Sequence, residues 1–393
     1  MARGCDCLAM HVFGLVNPLQ TKLNALKSQG LYRSRRIIDD KNIVNFCSND
    51  YLGLSKNENV VAAFKKAADD YGVGSGSAHL ICGHSKAHHL LEEELAEFTG
   101  RERALLFSTG YMANLGSINA LVGRGDFVFE DKLNHASLLD GGLSSGANFK
   151  RYLHADLTQL GKLLYKARGE KLIVTDGVFS MDGDVAPLRE LAILAKQHDT
   201  LLMVDDAHGF GVLGQTGGGL TEELNLTQND VPILMGTFGK AFGTFGAFIA
   251  GSETLIETLI QFSRTYIYTT ALPPSIAEAT RASLKIVITE TWRREKLQTL
   301  ISQFKTGAAQ LNLPLMPSDS PIQPLFVGDS FRASKMSEQL LEAGFLVSAI
   351  RPPTVPKNKA RLRITLSVLH EAEDVSRLLE TLCKLEKTKD YSI

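Results

Sequence analysis

The chain has one tryptophan, five cysteines, no surplus of either charge and no long uncharged apolar run. Each scarcity excludes something. Cys5, Cys7, Cys47, Cys82 and Cys383 are scattered and odd in number, so they imply no disulfide framework and fit a reducing cytoplasm. Cys5 and Cys7 lack a second cysteine pair at zinc-site spacing. A formal net charge of -1 gives no electrostatic footing for nucleic acid or an anionic membrane. No stretch is long and apolar enough to span a bilayer. Residues 8–16 imitate the apolar part of a signal peptide. However, only Arg3 precedes them and Asn17-Pro-Leu is a poor cleavage site, so they read as a loose N-terminal extension.

What is present is ordinary globular composition, 44% hydrophobic and 22% charged, over 393 residues. That length calls for two or three lobes. Residues 1–45 read as an extension and arm, with a short helix at 21–29 ended by Gly30 and a basic cluster, Leu31-Tyr-Arg-Ser-Arg-Arg. From residue 46 strands and helices alternate, which predicts an α/β domain with a largely parallel sheet over 46–285. A smaller α+β domain over 286–393 follows.

The strand ends carry the chemistry. Ala104-Leu-Leu-Phe runs into Ser108-Thr-Gly110 and a helix from about Tyr111, and such a junction presents free N–H groups to a phosphate. Asn134-His-Ala-Ser137 follows another strand. Three more strands end in Gly177-Val-Phe-Ser-Met-Asp-Gly, in Asp205-Asp-Ala-His-Gly and in Gly236-Thr-Phe-Gly-Lys-Ala-Phe-Gly243. Open α/β sheets bind ligands beyond the carboxyl ends of their strands. His135, Ser180, Asp205, His208, Thr237 and Lys240 all fall there. On its own, Lys240 is either a surface lysine on a glycine-rich loop or a poorly solvated amine able to form a Schiff base. With an aspartate, two histidines, hydroxyls and a phosphate cradle beside it, the set suits pyridoxal phosphate. Tyr71-Gly-Val-Gly-Ser-Gly-Ser is a weaker, glycine-rich ligand loop. His84, His88, His89 and Glu92 mimic metal-ligand spacing without a metalloprotease pattern, so they read as a polar helix face and no metal is expected.

These motifs, together with Cys47-Ser-Asn-Asp-Tyr-Leu-Gly-Leu, resemble the α-oxoamine synthases from about residue 31 to residue 385. The resemblance implies a fold-type I pyridoxal-phosphate enzyme that condenses an amino acid with an acyl thioester, working as a homodimer. Asp205-Asp-Ala-His-Gly-Phe-Gly-Val-Leu-Gly and Ile350-Arg-Pro-Pro-Thr-Val-Pro, followed by Ala360-Arg-Leu-Arg-Ile-Thr-Leu, are similar to the branch of biotin synthesis. That branch uses L-alanine and pimeloyl-CoA or pimeloyl-acyl-carrier protein.

Residue by residue, the resemblance implies that Lys240 holds the cofactor and removes the Cα proton. Asp205 pairs with the pyridine nitrogen, His208 bonds the ring hydroxyl and His135 stacks on the ring. Gly110, Tyr111, Ser180 and Thr237 make further cofactor contacts, and Thr269 or Thr270 reaches the phosphate in a neighbouring subunit. Asn49 and Arg363 hold the amino-acid carboxylate; Arg33 and Thr354 contact the acyl donor. Two other readings are a relative that uses glycine with acetyl-CoA and a silent partner subunit of the same fold. A silent subunit is expected to lack the lysine or the aspartate, and both are present.

Overall fold

The computed structural model describes residues 6–35, 37, 38 and 40–387, with side chains of the first helix described from residue 17 onward. That helix departs from expectation. It spans Asp6–Ser28, 23 residues with Pro18 inside it, where only 21–29 was predicted helical. Proline forfeits one N–H bond, but leucine, alanine and methionine before it favour the helix. The arm then adds a two-residue strand, β1 (Val44–Asn45). Cys47, Cys82 and Cys383 are free thiols. Cys5 lies outside the described residues.

The large sheet contains β2 (Arg103–Phe107), β3 (Phe127–Asp131), β4 (Asn148–Tyr152), β5 (Lys171–Asp176), β6 (Leu201–Asp205), β7 (Ile233–Thr237) and β8 (Ala247–Gly251). Their order is β2-β8-β7-β6-β5-β3-β4. Only β8 opposes its neighbours, running antiparallel to both β2 and β7. The inner strands are buried along nearly their whole length, as their unbroken apolar runs require of a sheet covered on both faces. Because six strands point one way, the segments after β2, β3, β5, β6 and β7 gather on one edge.

The connection between β6 and β7 is a glycine-rich loop with a four-residue helix, Leu220–Glu223, rather than a full crossover helix. Glycines at 211, 214, 217 and 219 adopt positive φ there, a conformation that breaks helices and that other residues rarely take.

A second, antiparallel sheet holds β9 (Ile322–Gly328), β11 (Ser348–Ile350) and β12 (Ala360–Thr365), in the order β11-β12-β9. β10 (Phe345–Leu346) pairs in parallel with β1 across about three hundred residues of chain, Val44 facing Phe345. β12 is buried throughout and places Arg361 and Arg363 on one face, two residues apart. The helix Pro274–Thr289 lies against Glu58–Tyr71, and the helices Trp292–Gln310 and Ala372–Lys387 pack together.

Candidate active site

A cavity of about 180 Å³ opens at the carboxyl edge of the large sheet. Its wall takes one contribution from nearly every strand end: Gly110 after β2, His135 after β3, Ser180 after β5, Asp205 and His208 at β6, Thr237 and Lys240 at β7. All eight of the predicted residues that follow these strands, Tyr111 included, therefore converge. Thr269 and Thr270 do not. They lie outside this cavity, with the Thr270 carbonyl accepting a bond from Ser108 Oγ at 3.3 Å.

Lys240 sits in the 238–246 turn joining β7 to β8. Burial pushes its ammonium below its ordinary pKa, while Asp205, Asp176 and Asp206 pull the other way. Desolvation thus favours the neutral amine, the form with a lone pair. Asp205 ends β6; its carboxylate accepts Asn114 Nδ2 at 2.6 Å and the Ala207 N–H at 3.0 Å. Asn114 also donates to Ser137 Oγ at 2.9 Å. Ser137 Oγ lies 2.8 Å from His135 Nδ1, so one chain of bonds sets both the aspartate and the imidazole. Burial lowers the pKa of His135. His208 is pushed well below its ordinary value, first by burial and then by the charges of Lys240 and Arg363. Its Nδ1 shares a 2.6 Å hydrogen bond with Tyr51.

The helix Gly110–Leu121 begins at the cavity wall, and Thr109 caps only the Met112 N–H. Its remaining first-turn N–H groups are unpaired by the helix itself, which suits an anion. A Cβ at Gly110 would come within 2.7 Å of Met235 Cε and 2.8 Å of Thr237 Cγ2, so only glycine leaves this approach open. Thr237 Oγ1 and Asn114 Oδ1 are buried without a protein partner, and both residues line the cavity. Buried polar atoms are seldom left unpaired. An anionic oxygen in this space would accept from Thr237 Oγ1, whereas Asn114 Oδ1 accepts only and calls for a donor.

Arg363 and Asn49 meet at the edge of the site. Both guanidinium Nη atoms donate to Asn49 Oδ1 at 3.2 Å, and Nε donates to the Ser180 carbonyl at 2.7 Å. Arg33 and Thr354 line a separate cavity of about 530 Å³, and Thr354 also lines a third of about 500 Å³ that reaches His135 and Ser180. Arg33 is thus joined to the centre only through Thr354.

Tyr51, Asn114 and Asp176 were missed. Asp176 closes β5, and its carboxylate accepts the His135 N–H at 2.6 Å. Burial, followed by the charge of Asp205, pushes its pKa well up. Asn114 stands four residues after Gly110 on the same helix face, a spacing that signals it. His84 and His88 do come together, with His79, their ligand atoms within 4.8 Å of one another; a second group is His84, His89 and Glu92. Both ring nitrogens of His88 are engaged, Nδ1 by the Ser85 N–H at 3.0 Å and Nε2 with the Leu272 carbonyl at 2.7 Å. His88 thereby caps the helix Lys86–Thr99.

One histidine outside the cavity braces two of its loops. His154 Nδ1 lies 3.0 Å from Asp131 Oδ1, and Nε2 lies 2.7 Å from Asp184 Oδ2. Bonds to Asp131 and then Asp184 raise its pKa to about 10. Asp131 begins the loop of His135, and Asp184 ends the loop of Ser180. A histidine pKa raised by folding stabilises fully below the unfolded value of ~6.5 and loses that contribution as pH climbs to the folded value. His154→Gln should lower stability by about 2 kcal/mol at pH 6. In thermal unfolding across pH, the gap from wild type should close between neutrality and pH 10; a constant gap would refute the ionic brace.

Comparison with known proteins places this geometry in a class. Residues 41–382 match the family described as aminotransferase class I and II. A serine palmitoyltransferase from S. paucimobilis, solved with bound PLP–myriocin, superposes with a TM-score of 0.89 at 29% identity, covering 95% of this chain and 98% of that one. The 8-amino-7-oxononanoate synthase of Saccharophagus degradans is 59% identical, over 94% of this chain and 97% of its own. That of Thioalkalivibrio sulfidiphilus is 58% identical over 93% and 96%. A solved 8-amino-7-oxononanoate synthase from Francisella tularensis has a TM-score of 0.79 and 36% identity, covering 88% of this chain and 99% of that one. The chain belongs to the aminotransferase class I and II family and, within it, to the 8-amino-7-oxononanoate synthases, acyltransferases of biotin biosynthesis.

Proposed function

We propose that the chain binds pyridoxal phosphate through Lys240 and condenses L-alanine with a pimeloyl thioester of coenzyme A or a carrier protein. The products are 8-amino-7-oxononanoate, carbon dioxide and the free thiol. The observation that carries the reading is a desolvated lysine amine sharing one small cavity with Asp205 and a glycine-opened helix N-terminus.

When bound, the cofactor supplies an aldehyde for the lysine and a ring that withdraws electrons from the amino acid's Cα. The chain's own residues do the rest. The Gly110 and Tyr111 N–H groups, with Thr237 Oγ1, would hold the phosphate. Asp205, held by Asn114, would keep a proton on the ring nitrogen. His208, held by Tyr51, would bond the ring hydroxyl, and His135 would lie against the ring. Arg363 and Asn49 bind the alanine carboxylate, and Lys240 Nζ takes the Cα proton. Ser180 adds a cofactor contact, and Arg33 and Thr354 hold the acyl donor. Scattered free thiols support a cytoplasmic setting. Incubating the pure protein with cofactor and a panel of amino acids and thioesters tests the reading. Alanine with pimeloyl thioester should react far better than glycine with acetyl-CoA, and the opposite preference would overturn it.

A homodimer with shared sites belongs to the same proposal. Thr269 and Thr270 lie outside this chain's own cavity. Thr270 bridges Ala78, and nearby in sequence to one or the other Val73, Ile81 and Tyr268 are 89%, 78% and 71% exposed, apolar surface suited to a second copy. Mixing Lys240→Ala chains with chains altered at both Thr269 and Thr270 leaves one intact site in each heterodimer. Random pairing should then restore about a quarter of wild-type activity. No recovery on mixing would place the phosphate contacts within one chain.

A further inference from the structure

Resting on the alanine and pimeloyl reading, we propose that the cavity beside Lys132 and Arg151 is the subsite for the far carboxylate of the acyl donor. This cavity, about 500 Å³, begins at His135 and Ser180 and runs out past Thr354. Leu133, Leu139, Phe179, Met181 and Val355 make much of its wall apolar. Its cationic lining is Lys132, Arg151 and Arg361. An acyl chain entering from the reacting centre therefore meets both aliphatic surface and positive charge.

The three cations are not equivalent. Arg361 is buried and already paired with Asp182. Among the described residues, no carboxylate lies within ion-pair distance of Lys132 or Arg151. Arg151 Nη2 donates to the Lys132 carbonyl, which fixes one arm of the guanidinium and leaves other N–H groups unspent. Glu130, the residue opposite Arg151 in the β3–β4 register, is fully buried with neither carboxylate oxygen bonded. Burial raises its pKa to about 8 against the pull of Asn134 and of the Arg151 charge, so at neutral pH it is mostly uncharged and offsets little of that charge. A planar guanidinium with free N–H groups in the wall of a partly apolar cavity suits a carboxylate. A chain ending in a methyl group gains nothing from it. The Arg33 cavity, which shares Thr354, is then left for the thiol carrier.

The experiment uses four donors: pimeloyl and heptanoyl chains, each on coenzyme A and on N-acetylcysteamine, which lacks the carrier's phosphates. Wild type should prefer pimeloyl on both carriers. Arg151→Leu should raise KM for both pimeloyl donors about tenfold, leaving the heptanoyl donors unchanged. Lys132→Met should do the same more weakly, and Arg151→Lys should restore part of the loss. Calorimetry with free pimelate and with heptanamide, which has no carboxylate, reads the subsite without turnover: pimelate binding should weaken in Arg151→Leu and heptanamide binding should not. Unchanged pimelate affinity would overturn the proposal. So would a KM loss that follows coenzyme A rather than the chain end, which would assign the cations to carrier phosphates. Failure of wild type to form product while pimelate binding depends on Arg151 would instead sink the function proposed above and spare the subsite.

Discussion

Lys240→Ala, purified with pyridoxal phosphate, should bind the cofactor without a covalent link and lose at least about 10⁴-fold in turnover. Borohydride treatment of wild type should fix the cofactor on the peptide containing Lys240, and treatment of the variant should fix it nowhere. The structural reason is desolvation. The amine sits in a tight turn held between paired strands, so it is both placed and deprived of the water that would keep it charged. Lys240→Arg should fail as fully, because a guanidinium stays protonated and cannot attack an aldehyde. Label on any other lysine would overturn the assignment.

The second large effect separates two adjacent carboxylates. Asp205→Asn should reduce turnover by roughly 10²–10⁴-fold, since an amide cannot keep a ring nitrogen protonated. Asp206→Asn should stay within about tenfold of wild type. Asp205 lines the cavity, whereas Asp206 is wholly buried and accepts the Leu220 N–H at the base of the glycine-rich loop. Burial raises the Asp206 pKa to about 8, so at neutral pH it is mostly a neutral acid that asparagine imitates in shape. Steady-state rates with both variants at pH 7 check the order. A greater loss at Asp206 would mean that the wrong neighbour faces the cofactor.

Lys240, Asp205 and His208 were legible because each follows a short apolar run, and the end of such a run marks where a parallel sheet exposes function. The glycine at 110 was legible for the same reason. Strand direction was not. Ala247-Phe-Ile-Ala-Gly is as apolar as its neighbours, and nothing local says that β7 turns straight back into β8. Tyr51 escaped because its importance is a bond to His208, 157 positions along the chain. Asp176 escaped because it is the last residue of β5 itself and its role is a bond to the His135 N–H, 41 positions away. The helix at Asp6–Ser28 was legible only at its end, because the apolar run 8–16 imitates a signal peptide as readily as a helix.

The pairing of β1 with β10, and of Asn49 with Arg363, bears on how the protein is made. During synthesis the ribosome delivers the lysine, the aspartates and the seven-strand sheet more than a hundred residues before it delivers the guanidinium. Domains generally fold as units while the chain grows, N-terminal parts first. A nascent chain can therefore assemble the cofactor's walls early, with Asn49 waiting unpartnered. The carboxylate clamp closes only after nearly the whole chain has emerged, so a truncated product would hold the cofactor's surroundings without the means to orient its amino acid.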